Sequence, residues 1–101
     1  MNRRLIENTV YVGSKPVMSY VTAILSSFKD NQEVVVKARG RAISTAVDAA
    51  EVTRTRFITN LKPTVNIGTE KLPGEGGSTR NVSFIEITLK KSPEAEKTPG
   101  A

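Results

Sequence analysis

The chain has 101 residues, 15 of them Lys or Arg against 10 Asp or Glu, for a formal net charge of +5. With 38% apolar residues it can build one modest core, and it is short for a self-contained enzyme. It has no Cys and no His, which removes disulfides, thiolate nucleophiles and the commonest general base and metal ligand, so neither a metal nor another cofactor is expected.

Met1 to Arg4 lead into Leu5-Ile6-Glu7 rather than into the apolar region of a signal peptide. No window approaches the roughly 18 to 20 apolar residues of a membrane span, so a cytoplasmic protein without a membrane partner is expected. Residues 1–7 show no period and read as an N-terminal extension. A strand is predicted at Asn8 to Val12, stopped by Gly13, with Ser14 as a helix N-cap and Pro16 in the first turn. From Pro16 to Phe28 the residues Val17, Tyr20, Val21, Ile24 and Phe28 recur at helical spacing, widened by Met18 and Leu25.

Glu33 to Arg39 is a β-branched strand that sends Val34, Val36 and Ala38 to one face and Lys37 and Arg39 to the other. A second helix is predicted from about Ala42 to Phe57, with Ile43, Ala46, Val47, Ala50 and Phe57 on one stripe and Arg54 and Arg56 in the last turn. Its small face, Ala42, Thr45, Ala49 and Thr53, suits either close packing on its own sheet or a helix contact between two copies. Strands follow at Pro63 to Leu72 and Arg80 to Lys91, joined by a glycine-rich tip from Pro73 to Thr79 that is too long for a two-residue turn. The order β-α-β-α-β-β predicts a two-layer α/β sandwich over residues 8–91, its first two strands parallel across a helix and its last two a long hairpin arm. Residues 92–101 read as a disordered tail. Because the tail holds Glu94 and Glu96 against Lys97, the folded part is more basic than the total, which points to a polyanionic partner.

Three cations without an intervening acid, Lys37, Arg39 and Arg41, surround Gly40 at a strand exit. Such a run is either a solvated edge or a phosphate-binding strip. Gly13 to Pro16 sets Lys15 and the Ser14 hydroxyl beside helix N-terminal amides, an arrangement that suits a phosphate oxygen but is equally a plain helix start. In a βαβ unit both loops open on the same end of the sheet, which brings Lys15 and Arg41 together. Asp48 and Glu51 lie one turn apart on a helix, where pairing with Arg54 or hydrogen bonding by Thr55 accounts for them, so no catalytic residue is assigned. The aromatics Tyr11, Tyr20, Phe28 and Phe84 fall mostly on apolar patterns, which argues against base stacking.

Taken together, Val12 to Val21, Val36 to Ser44, Ala46-Val47-Asp48 and Arg54 to Phe57 closely resemble the Alba family of archaeal chromatin proteins, the Lys-Ala-Arg-Gly-Arg-Ala-Ile-Ser run above all. The resemblance covers about residues 8–91. It implies the fold of the C-terminal domain of a bacterial translation initiation factor, a homodimer, and binding of double-stranded DNA and RNA without marked sequence preference. It further implies filaments of dimers and pairing with a paralogue, and a protein that coats and compacts chromosomal DNA. Carried over by position, Ser14, Lys15, Lys37, Arg39, Gly40 and Arg41 belong to the nucleic-acid-binding body. Arg80 and the tip with Gly74, Gly76 and Gly77 form an arm toward the minor groove, Phe57 joins neighbouring dimers unless it is buried in the core, and Lys15 is a candidate for acetylation. The chain departs from the family in having Ser14-Lys15 where two lysines are frequent, and Glu75 at the arm tip. Three other readings remain: an RNA chaperone or ribonucleoprotein subunit, a small-ligand phosphate-binding domain on Gly13 to Pro16, and a pure oligomerisation module.

Overall fold

Two amphipathic helices and four strands form in the expected order in a computed structural model, which describes residues 8–92. The expectations for the N-terminal extension and for residues 93–101 lie outside the described residues. Strand β1 (Thr9–Tyr11) pairs in parallel with β2 (Glu33–Arg39) across helix α1 (Val17–Ser27). β4 (Thr79–Lys91) runs antiparallel to both β2 and β3 (Leu61–Pro73), giving the sheet order β1-β2-β4-β3. Thus β1 and β3 are the edges, and the long hairpin sits at one side of the sheet, stretching the longest dimension to 55 Å.

The core follows the sequence periods. Val34, Val36 and Ala38 of β2 and Ile85, Ile87 and Leu89 of β4 point to one face, where they meet Tyr20, Val21 and Ile24 of α1 and Ala46, Ala49 and Ala50 of α2 (Ile43–Val52). Leu89 and Ile24 are fully buried, so truncating either to Ala is worth about 2–5 kcal/mol of stability. Ala49 and Thr53 of the small face are likewise buried within the same chain, so this half of the face packs on its own core, while Ala42 and Thr45 stay partly exposed.

The second helix spans the expected stretch without a break but changes type along it. It opens with a 3-10 turn (Gly40–Ala42), runs as α2, and ends in a π-helical turn (Thr53–Phe57). The Ile58 amide donates to the Thr53 carbonyl at 2.9 Å, and buried Thr53 sends its hydroxyl back to the Ala49 carbonyl at 2.8 Å. The wider turn re-aims the chain end, and Phe57 emerges about half exposed (50%), which decides between its two readings in favour of the surface. Val47, expected on the core stripe, is also exposed.

Ser14 does not cap α1. The helix starts at Val17 behind Pro16, and no side chain caps it. The Tyr20 hydroxyl accepts hydrogen bonds from the Gly13 and Lys15 amides, both at 2.9 Å, so the loop is tied down by a phenol from the first turn rather than by its own serine. The hairpin tip is more ordered than its glycines suggest: Gly74 donates to the Ser78 carbonyl at 2.8 Å, and both the amide and the hydroxyl of Ser78 donate to the Glu75 carbonyl.

Candidate nucleic-acid interface

The loop after β1 and the loop after β2 open on the same end of the sheet, as parallel pairing requires. The Val12 amide donates to the Lys37 carbonyl at 2.8 Å, and Gly13 and Ala42 line one groove. Gly40 turns the chain with φ +53°, a left-handed conformation that a side chain would strain. Lys15 and Arg41 are exposed on these two loops, and among the described residues neither forms an ion pair with a carboxylate. The Gly13 and Lys15 amides already bond Tyr20, so an anion here meets the Lys15 ammonium, not those two N–H groups.

Lys37 and Arg39 share a face of β2, as alternation demands, but each meets a carboxylate from the hairpin. Lys37 Nζ lies 3.6 Å from Glu86 Oε2 on β4, and Arg39 Nε lies 2.8 Å from Glu70 Oε1 on β3. Both pairs are partly solvated, so each is worth little to stability, yet each reduces the charge its cation presents to a polyanion. Glu70 Oε1 is shielded from solvent and close to the guanidinium without the alignment of a hydrogen bond. The sequence run shows three equal cations, whereas the fold separates Arg41 from two compensated ones.

Elsewhere the expectations divide. Arg80 is exposed on β4, paired with Leu72 beside the tip, where Gly76 and Gly77 adopt φ +62° and +81° and Glu75 and Gly74 complete the turn. Arg54 pairs with Glu51, as the helical spacing anticipates, through contacts of 2.6 and 3.0 Å. Those hydrogen bonds hold the Glu51 carboxyl below 4.5, against a smaller opposing effect of burial, and raise Arg54. Thr55 donates its hydroxyl to the Glu51 carbonyl, as the helical reading of this segment anticipates.

Two features were missed. Tyr11 is 70% exposed on the sheet face away from the helices, a face that also carries half-buried Phe84 two strands away, so only Tyr20 and Phe28 behave as core aromatics. Strand alternation carried the signal, since Tyr11 stands out of phase with buried Val10 and Val12. On the opposite face, Val65 and Ile67 of β3 align with core residues Ile87 and Ile85 but remain exposed, because the helices cover β2 and β4 and leave this edge bare. Among the described residues no helix is long and apolar enough to cross a membrane, and no group of three carboxylates is placed to hold a metal ion.

A four-stranded sheet with two helices on one face, a long hairpin and two cationic loops at one end defines a small basic α+β protein. The chain belongs to the Alba family, whose model matches residues 8–71. It is 52% identical over 87 residues to the DNA/RNA-binding protein Alba of Methanocella arvoryzae, covering 84% of this chain and 91% of that one. It is also 52% identical over 89 residues to DNA/RNA-binding protein Alba 1 of Archaeoglobus fulgidus, covering 86% and 99%. The fold matches the Alba structure from Thermoplasma volcanium with a TM-score of 0.77 at 46% identity, over 83% of this chain and all of that one. An Alba protein of Trypanosoma brucei matches with a TM-score of 0.64 at 25% identity, over 94% of this chain and 76% of that one.

Proposed function

We propose that the chain is a dimeric architectural protein that binds duplex DNA, and also RNA, through the phosphate backbone, and thereby coats and compacts the chromosome in the cytoplasm. The observation that carries this reading is the exposure of Lys15 and Arg41 on two loops at one end of the sheet, with no carboxylate partner for either among the described residues. The names of its relatives, DNA/RNA-binding proteins, support the same partner class. Arg39 joins them once a phosphate displaces Glu70, and Arg80 with the tip forms an arm beyond the body. The exposed Val47, Val65 and Ile67 favour a second copy of the chain over the bare edge of the core face, since an apolar strand face beside the core is costly to leave in water. Phe57, exposed next to Arg56, is the residue assigned to contacts between neighbouring dimers.

The test is a salt series on duplex DNA. Four to six phosphates neutralised per dimer give a slope of about −4 to −5 in log affinity against log salt, and a slope near −1 refutes the reading. The same titration on Ile67→Asp separates the dimer from the site: the variant is expected to sediment as a monomer and to show about half the slope.

A further inference from the structure

The sheet face turned away from the helices carries a second surface of different chemistry. Its register sets Tyr11 beside Lys37 and Glu86, and one step along sets Arg39 beside Phe84 and Gly68. Tyr11 is 70% exposed, with Lys37 Nζ 6.0 Å from its ring centroid. The Phe84 ring lies directly over Gly68, where a Cβ would stand 2.6 Å from it, so glycine is required to let the ring lie flat across the strand. From strand spacing and rise, the two rings stand roughly 12 Å apart, too far for one planar group to touch both and with the two cations between them. A groove of about 520 Å³ lined by Tyr11, Gly13, Arg39, Ala42, Glu70 and Phe84 runs between them, within the usual size of ligand clefts.

We propose that this face binds single-stranded RNA, one unpaired base stacking on Tyr11 and a second on Phe84, with the intervening backbone at Lys37 and Arg39. In a duplex the bases stack on one another and offer no free ring face, so only an unpaired strand uses an exposed aromatic in this way. Four-stranded sheets with aromatics on an open face serve that purpose elsewhere. Glu70 and Glu86 disfavour a strand recognised by phosphate charge alone. The Glu70 side chain, 38% exposed although Oε1 is shielded against Arg39, offers the rest of its carboxylate to a hydrogen-bond donor, which the ribose 2′-hydroxyl supplies and deoxyribose lacks. Arg39 is shared with the duplex reading, but Tyr11 and Phe84 are not, so a Tyr11 variant lets this proposal and the duplex reading fail separately.

The experiment titrates the full chain with a labelled oligouridylate of about ten nucleotides. The salt is set at about 0.3 M, where binding driven by counterion release is weakened. Wild type, Tyr11→Ala and Tyr11→Phe are compared, with the oligodeoxyuridylate of equal length and a DNA duplex alongside. Tyr11→Ala is expected to weaken RNA binding by about 5- to 100-fold. Tyr11→Phe, which keeps the ring, is expected to match wild type, and duplex affinity is expected to be the same in all three. Absence of oligouridylate binding, an unchanged affinity in Tyr11→Ala, or an equal loss on the duplex overturns the proposal. Equal affinity for the deoxy strand overturns the assignment to RNA.

Discussion

The loop end and the open sheet face of this protein hold cations drawn from one five-residue stretch, yet they differ in electrostatic character. Past Gly40, Arg41 has no carboxylate partner among the described residues, and neither has Lys15 on the neighbouring loop. Two and four residues earlier, Arg39 and Lys37 lie in a strand whose neighbours bring Glu70 and Glu86 alongside. A strand presents its side chains to whatever the register places opposite, while a loop at a sheet end presents them to solvent. Formal charge in a sequence is therefore not the charge available to a polyanion, and the difference is set by residues more than 30 positions away.

Removing the free cations tests this contrast most strongly. Lys15→Gln with Arg41→Gln takes four unpaired charges from a dimer, and duplex affinity is expected to fall on the order of a thousandfold at about 0.15 M salt, with most of the salt slope. Lys37→Gln with Arg39→Gln removes the same formal charge and is expected to cost far less. Equal losses in the two double variants, measured in one titration, break the contrast.

Freeing a paired cation is the second test, with a smaller effect of opposite sign. Glu70→Gln leaves Arg39 without its partner, so duplex affinity is expected to rise several-fold and the slope to steepen by about two per dimer. A weaker duplex complex in this variant shows instead that the carboxylate positions the guanidinium for binding.

The smallest effect belongs to the ion pair remote from both regions. Glu51 is held below its ordinary value of 4.5 by Arg54, so its folded form binds protons less readily than its unfolded form. The stabilisation is present above that value and is lost as pH falls through the lower folded one. Because the pair is solvated, the loss is about 0.3–0.5 kcal/mol. It is read as a small fall in Tm below about pH 4.5 in wild type that is absent in Glu51→Gln.

Much of this organisation was legible in the sequence because it depends on local rules. The alternation Val34, Val36, Ala38 against Lys37 and Arg39 states which side chains share a face, and the helical spacing of Tyr20, Val21 and Ile24 states which pack inward. The family resemblance, carried by the Lys37 to Ser44 run, is borne out by the matches to Alba proteins. Local rules failed at Ser14, where the phenol of Tyr20 reaches the loop amides first, and at Thr53 to Phe57, where a buried threonine fits a wider helical turn. They also misjudged Tyr11, because an aromatic between two valines looks apolar until alternation is applied to a strand whose outer face nothing covers.

The sequence by itself determined the elements, their order, the parallel pairing of the first two strands and the side of each strand that carries charge, since periodicity and βαβ geometry act over short stretches of chain. Only the tertiary structure decided which cations are free, which aromatics meet solvent and which apolar strand face is left bare. Those properties depend on what lies opposite, and the side chains opposite come from distant parts of the chain brought together by the register of β4.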